Sequence, residues 1–338
     1  MSAIVGATHD PTRRLPIDLA GYVALRERSQ IQHLVDGVPD YGFSLDRQLR
    51  QKLSAIPALR WALRTISHSL EPACQQIFST EGVAVGPDQY PEIHAMGEQC
   101  ARLLGIGIPR IFISSDAKLN AMTLASDNAK PSIIITSSLV QILEERELLA
   151  VIGHECGHVH NLHGSYNTLA ELLTNPLARD ILATLDEVGG GTGLVRMVAQ
   201  IVQTSITLFT ARWSRCAEVT CDRAGAICAG DSAAMANALA KLQTGGDAVF
   251  GNFNLDAYMR QIQSVQATSL GLGELTKTHP LAQRRIAAVL LFANSDVFQS
   301  WCPNAPVNGA TRALSAVDAE CEPLISVWGD QPAGQRIR

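Results

Sequence analysis

None of the eight cysteines (Cys74, Cys100, Cys156, Cys216, Cys221, Cys228, Cys302 and Cys321) forms a Cys-x-x-Cys pair. That spacing excludes a zinc ribbon and a thioredoxin-like redox site. Thiols so scattered read as free, buried residues of a reducing compartment. No run of Lys and Arg with interleaved aromatics occurs, and the formal net charge is -5, so nucleic acid is not an expected partner. The first 18 residues carry His9, Asp10, Arg13 and Arg14 but no apolar segment. A secretory signal is not visible there, and the cytoplasm is the expected compartment.

A membrane-spanning run is missing too. The most apolar long stretch, 193–211, is interrupted by Arg196, Gln200 and Gln203 and lacks the roughly 18 consecutive apolar residues that a span requires. Its Leu194, Met197, Val198, Ile201, Val202, Ile206 and Phe209 instead recur at helical spacing on one face. This predicts an amphipathic core helix. Peripheral attachment to a membrane surface is the alternative, disfavoured by a polar side poor in Lys and Arg.

What is present suits a folded chain. Hydrophobic residues make up 46% and charged residues 17% of 338 positions, enough for one large domain or two ordinary ones. Helices are predicted over 44–56, with Ser44 as N-cap, over 59–69 beyond Pro57, and over 91–104, with Pro91 in the first turn and Gly105 as stop. Three short strands follow, at 110–113, 120–125 and 133–136, the last rich in β-branched residues. Ser138 to Gln141 has capping-box spacing, and Glu144 to Glu147 place acidic side chains at the next helix start, where the dipole favours them. That helix is expected to end near Asn161 to Gly164, with Gly164 a suitable residue just past the stop. Gly189-Gly190-Gly191 is a joint, Asp231 caps an Ala-rich helix to 242, and 245–254 is a loop. From about 300 onward the chain reads as an irregular tail.

The helix beginning near Glu145 carries the chemistry. Within Leu148-Leu149-Ala150-Val151-Ile152-Gly153-His154-Glu155-Cys156-Gly157-His158, His154 and His158 stand one turn apart on the same face. Two imidazoles so placed can share a Zn²⁺ ion, with Glu155 beside the position of an activated water. A zinc site needs a third protein ligand. His163 does not occupy the metzincin position, because Asn161 and Gly164 stand where that pattern needs Gly and His. On a continuing helix His160 and His163 also point away from the ligand face, and both read as surface residues near a helix C-terminus. The better candidate is Glu218. It lies four residues before Asp222, hence on one helical face with it; one carboxylate would bind metal and the other orient a histidine. Cys156 reads as a small apolar residue packed under the helix.

Together these pieces resemble the M48 metallopeptidases, the group of HtpX-type enzymes. Asn120-Ala121-Met122 resembles the family's edge strand, with Met122 in place of the usual aromatic. Glu147 to His158 resembles the core motif, Glu218 to Asp222 the Glu-x-x-x-Asp element, and Thr278-His279-Pro280 with Arg285-Ile286 the closing His-Pro…Arg element. The resemblance implies one Zn²⁺ per chain held by His154, His158 and Glu218, with Glu155 as general base and Asp222 behind the ligands. It implies His279 and Arg285 near the site, stabilising an oxyanion or contacting substrate, and an Asn120–Met122 strand that pairs with an extended protein or peptide substrate. The expected fold is α+β, predominantly α, a zincin-like domain with a small β-sheet preceding the motif helix. Residues 1–60 would be a helical extension and candidate cover for the cleft, 61–300 the peptidase domain, and 301–338 the tail. The expected function is a zinc-dependent endopeptidase, with protein quality control as a setting. A latent or non-cleaving zinc-binding scaffold is the alternative.

Overall fold

The computed structural model describes residues 33–56 except 36–37, 82–163 except 116–118 and 125–130, 204–245, and 282–326 except 307–308, with a few isolated positions besides. The expected helix over 59–69, the glycine joint at 189–191, most of the loop at 245–254, and His279 lie outside these residues. Among them the protein is mostly helical, with a small mixed sheet.

The chain enters through a two-stranded ribbon, β1 (Leu34–Val35) and β2 (Val38–Pro39), and continues into helix α1 (Ser44–Ser54). Ser44 is not the cap of this helix; Phe43 holds that place, and the Ser44 amide donates to Asp318. Strand β3 (Gly82–Ala84) precedes helix α2 (Pro91–Leu104), which opens on Pro91 and stops at Gly105 with φ 67°. There the left-handed backbone suits a residue without Cβ. Strands β4 (Arg110–Ser114), β5 (Ala121–Leu124) and β6 (Ser132–Thr136) complete a sheet of order β3-β4-β6-β5. Strands β4 and β6 run parallel, whereas β3 and β5 pair antiparallel on either side. Among the described residues, strand β5 therefore forms an edge of this sheet. Ile111, Ile113, Ile133 and Ile135 are buried in the main core, as alternation on a half-covered sheet requires.

Helix α3 (Ser137–Ile142) has no side-chain cap at its N-cap residue, Thr136. The capping box lies one helix later, at α4 (Glu145–His160), where Glu144 and Glu147 cap reciprocally. Lys241 anchors this start from helix α6 (Ser232–Thr244), its ammonium 2.9 Å from Glu147. Between them runs the long helix α5 (Thr204–Ala229). It takes in the end of the apolar stretch, and its Phe209 packs against a second core. No helix among the described residues is long and apolar enough to cross a membrane.

Helices α7 (Ala282–Phe292), α8 (Asp296–Trp301) and α9 (Leu314–Ile325) close the structure. Helix α9 corrects the expectation of an irregular tail. Its Val317, Cys321 and Ile325 recur at intervals of four and enter the second core with Phe43, Leu49 and Leu53 of the N-terminal segment. Buried Arg223 of α5 ties these parts together, donating to the Tyr41 carbonyl and to Asp318 while lying over the rings of Phe43 and Phe292. Residues 41–54 are thus built into the packed interior.

Helices α4 and α5 approach closely because small residues line the seam. A Cβ on Gly153 would fall 2.5 Å from Cys228 Cβ and 3.2 Å from Gly225 Cα, and one on Gly157 2.8 Å from Ala224 Cβ. A Cβ on Gly225 would meet the Ala150 carbonyl at 2.5 Å. Gly153→Ala is therefore expected to lower stability by about 1–3 kcal/mol, the usual cost of overpacking. Urea unfolding checks this, and an unchanged midpoint would show that the seam has slack.

Candidate metal centre

The helical spacing of His154 and His158 turns both rings toward α5, and the close seam brings Glu218 between them. His154 Nε2 lies 3.7 Å from Glu218 Oε2, and His158 Nε2 lies 3.5 Å from Glu218 Oε1. The three donor atoms fall within 4.8 Å of one another, and all three residues are buried. Ligands about 2.0–2.1 Å from a tetrahedral zinc sit roughly 3.4 Å apart, so the donor set fits that ion with little adjustment. The charges fit as well. Glu218 and Asp222 share the Arg285 guanidinium, and Glu155 is a third buried carboxylate on the motif helix. A divalent cation suits these acidic surroundings.

Asp222, one turn beyond Glu218, backs the first histidine. Its Oδ1 lies 2.9 Å from His154 Nδ1, which leaves Nε2 for the donor cluster. Arg285 of α7 grips the same carboxylate with Nε at 2.8 Å and Nη2 at 2.6 Å, while Nη1 stands 2.9 Å from Glu218. Burial opposes the charge on Asp222, but Arg285 and His154 outweigh it and hold its carboxyl below the usual range. Burial likewise opposes a proton on His154, yet Asp222 and Glu218 together raise its pKa. A site that favours positive charge on this ring in the absence of metal is electrostatically prepared for a cation. Arg285, expected to face substrate or an oxyanion, instead has its guanidinium engaged with the two carboxylates.

Glu155, also buried, points toward the sheet. The Thr123 hydroxyl of β5 donates to Glu155 Oε2 at 2.6 Å and lies 3.1 Å from the Glu155 carbonyl. One hydroxyl thus joins the edge strand to the motif glutamate. The sequence alone carries no sign of this contact beyond Thr123 following the edge-strand motif. Ala121 and Met122 lie in β5 itself, Met122 being exposed, while Asn120 immediately precedes the strand and bonds with Thr136. Cys156 is buried beside Cys100. The hydrogen bond with Cys100 and burial push its thiol well above the ordinary range, which keeps it protonated and suits a packing role.

The other histidines depart from expectation. His160 and His163 are both fully buried. The helix does not continue past His160: the Leu162 amide returns to the Val159 carbonyl and the His163 amide to the His158 carbonyl. This paired turn, with Leu162 at φ 57°, is a helix stop that glycine normally supplies. It folds His163 back against the motif helix, with Nδ1 3.3 Å from His158 Nδ1. Its Nε2 meets Asp46 of α1 at 3.2 Å. His160 Nδ1 lies 2.8 Å from the Tyr41 hydroxyl. The helix ends where expected, near 161–164, but the projection of His163 assumed a continuing helix, and the turn at Leu162 redirects that side chain. Asp46 had no sequence signal, since its partners come from remote elements.

The chain is similar to the plastoglobule-localized metallopeptidase 48, chloroplastic, of Arabidopsis thaliana, 30% identical over 239 residues that cover 69% of this chain and 64% of that protein. It is similar to the protease HtpX homolog of Bifidobacterium longum, 26% identical over 257 residues, 68% of this chain and 78% of the relative. The HtpX homolog of Ralstonia nicotianae is 27% identical over 221 residues, covering 62% and 76%. No solved structure matches. The model of peptidase family M48 matches residues 87–291, a span that holds His154, Glu155, His158, Glu218, Asp222 and Arg285. With the motif helix, the donor cluster and more than half of the sequence in agreement, the chain belongs to peptidase family M48, a family of metallopeptidases.

Proposed function

We propose that this protein is a zinc-dependent endopeptidase acting on protein substrates, with a zincin-like arrangement in which the sheet leads into the motif helix. The observation that carries this reading is the convergence of His154, His158 and Glu218 with Glu155 beside them. One zinc per chain would be held by the first three. When bound, it supplies a Lewis acid that polarises the scissile carbonyl and makes water acidic.

The residues around it have separate tasks. Glu155 takes the proton of the attacking water at a carboxylate oxygen and delivers it to the leaving amine. Thr123 holds Glu155 in place from β5. Asp222 keeps His154 in the tautomer that offers Nε2, and Arg285 holds Asp222 and Glu218 against their mutual repulsion. The open edge at β5, with Asn120, Ala121 and Met122, suits main-chain pairing with an extended peptide. That edge adjoins Glu155 through Thr123, so a paired substrate would pass the general base. For His279, which lies outside the described residues, the role of contacting an oxyanion or substrate rests on the resemblance of its His-Pro…Arg element alone. The catalytic unit extends beyond residues 61–300 to take in 41–54 and α9, given their shared core. The seven described cysteines are buried thiols, which favours a reducing compartment such as the cytoplasm.

Two expectations test this reading. Glu155→Gln should lower kcat/KM on an unstructured protein substrate by at least about 10²-fold, with zinc content by elemental analysis unchanged; full activity in this variant would refute the mechanism. Thr123→Val removes a hydrogen bond to a charged group, worth about 1.5–3 kcal/mol. It should lower kcat roughly 10- to 100-fold while zinc content and KM stay near their original values.

A further inference from the structure

Two histidines offer Nε2 to the donor cluster, and Asp222 stands directly behind His154. Behind His158 stands His163, and behind His163 stands Asp46. Asp46 and His163 are buried, and every polar atom in the chain of contacts has a definite role. Asp46 Oδ1 accepts from Trp213 Nε1 at 2.9 Å; Oδ2 accepts from the Thr220 hydroxyl at 2.7 Å and faces His163 Nε2 at 3.2 Å. A carboxylate accepts only, so His163 Nε2 carries the proton. In a neutral ring His163 Nδ1 is then an acceptor. Its neighbours are His158 Nδ1 at 3.3 Å and the Cys221 thiol at 3.5 Å. For the contact between the two rings to be attractive, His158 Nδ1 must hold the proton, which leaves the His158 Nε2 lone pair directed at Glu218 and the donor cluster.

We propose that Asp46 and His163 are positioning residues of the metal centre, a relay that locks His158 in its Nε2-ligating tautomer. The inference rests on the reading of His158 as a metal ligand. It also gives a task to α1, which precedes the residues matched by the family model. The centre of this protein is completed by its N-terminal segment, so that segment is a component of the site and not a removable cover. The same relay disfavours the alternative donor trio of His158, His163 and Cys221, because the shared proton occupies the Nδ1 atoms that such a trio would use.

Asp46→Asn is the informative change, since it keeps the shape. With its oxygen retained by Trp213, the new amide group faces His163 and donates where Asp46 accepted. His163 must then accept at Nε2 and donate at Nδ1, and His158 must accept at Nδ1 and carry its proton on Nε2, the ligand atom. Zinc affinity, measured by chelator competition, should fall about 10- to 100-fold, the usual effect of losing an outer partner of a ligand histidine. Trp213→Phe removes one of the two other bonds to Asp46, leaving that of Thr220, without reversing the relay, and should bind zinc like the unaltered protein. Nitrogen-15 shifts of the imidazoles in the metal-free, unaltered chain give a second readout, independent of any variant's folding: protonation at His158 Nδ1 and His163 Nε2 is expected. A proton on His158 Nε2, or an Asp46→Asn protein that binds zinc undiminished, would overturn the relay while leaving the metal reading intact. Equal losses in Asp46→Asn and Trp213→Phe would reduce Asp46 to a structural residue. If the unaltered protein takes up no zinc, the metal reading fails and the relay's purpose fails with it.

Discussion

The near contact of the motif helix with α5 depends on three residues without side chains. Gly153 and Gly157 flank His154 on the sequence and alternate with the histidines around the helix, so one face approaches α5 and the adjoining face carries the donors. Gly225 answers from the other side, its Cα turned toward Ala150. Interiors are close-packed and do not stretch, so a seam wider by the thickness of a methyl group would carry Glu218 away from both rings. Donor separations of 3.5 and 3.7 Å follow from backbone proximity more than from any property of the donors.

That proximity concentrates negative charge where water is scarce. Arg285 answers two of the carboxylates at once, with Nη1 on Glu218 and a fork on Asp222. The planar fork suits this better than an ammonium, because it fixes orientation as well as charge. Glu155 is left to a neutral partner, the Thr123 hydroxyl. The division is chemically sensible. Carboxylates that orient or bind are paired with a cation, whereas the one assigned to proton transfer is held by a hydroxyl.

Much of this was legible from spacing. Residues four apart on a helix share a face, so His154 with His158 and Glu218 with Asp222 follow from the periodicity of α4 and α5. Strands β4 and β6 follow from β-branched runs, and α2 from Pro91 and Gly105. The features that escaped have a common physical origin. Strand β3 has three residues and no alternation long enough to register. Helix α9 owes its order to Val317, Cys321 and Ile325 entering a core built by distant segments. Thr123, Asp46 and His163 act through contacts across the fold, and local pattern is silent about these. His163 was misjudged for a sharper reason: a leucine occupies a backbone position that ordinarily announces itself as glycine.

That leucine bears on the order of assembly. A left-handed residue with a Cβ costs about 1–2 kcal/mol, and Leu162 is half exposed, so its own side chain recovers little of that by burial. The turn is held from outside: Arg50 donates to the Asn161 carbonyl, Asn161 Nδ2 bonds the Tyr41 hydroxyl, and Asp46 meets His163. All three outside partners lie in residues 41–50, far away along the chain. Such closures incur loop entropy before their contacts form. The end of the motif helix is thus the part of the site whose geometry waits for long-range docking, and a chain with its main core formed but α1 undocked would hold His154 against Asp222 while His158 lacked the Asp46–His163 backing.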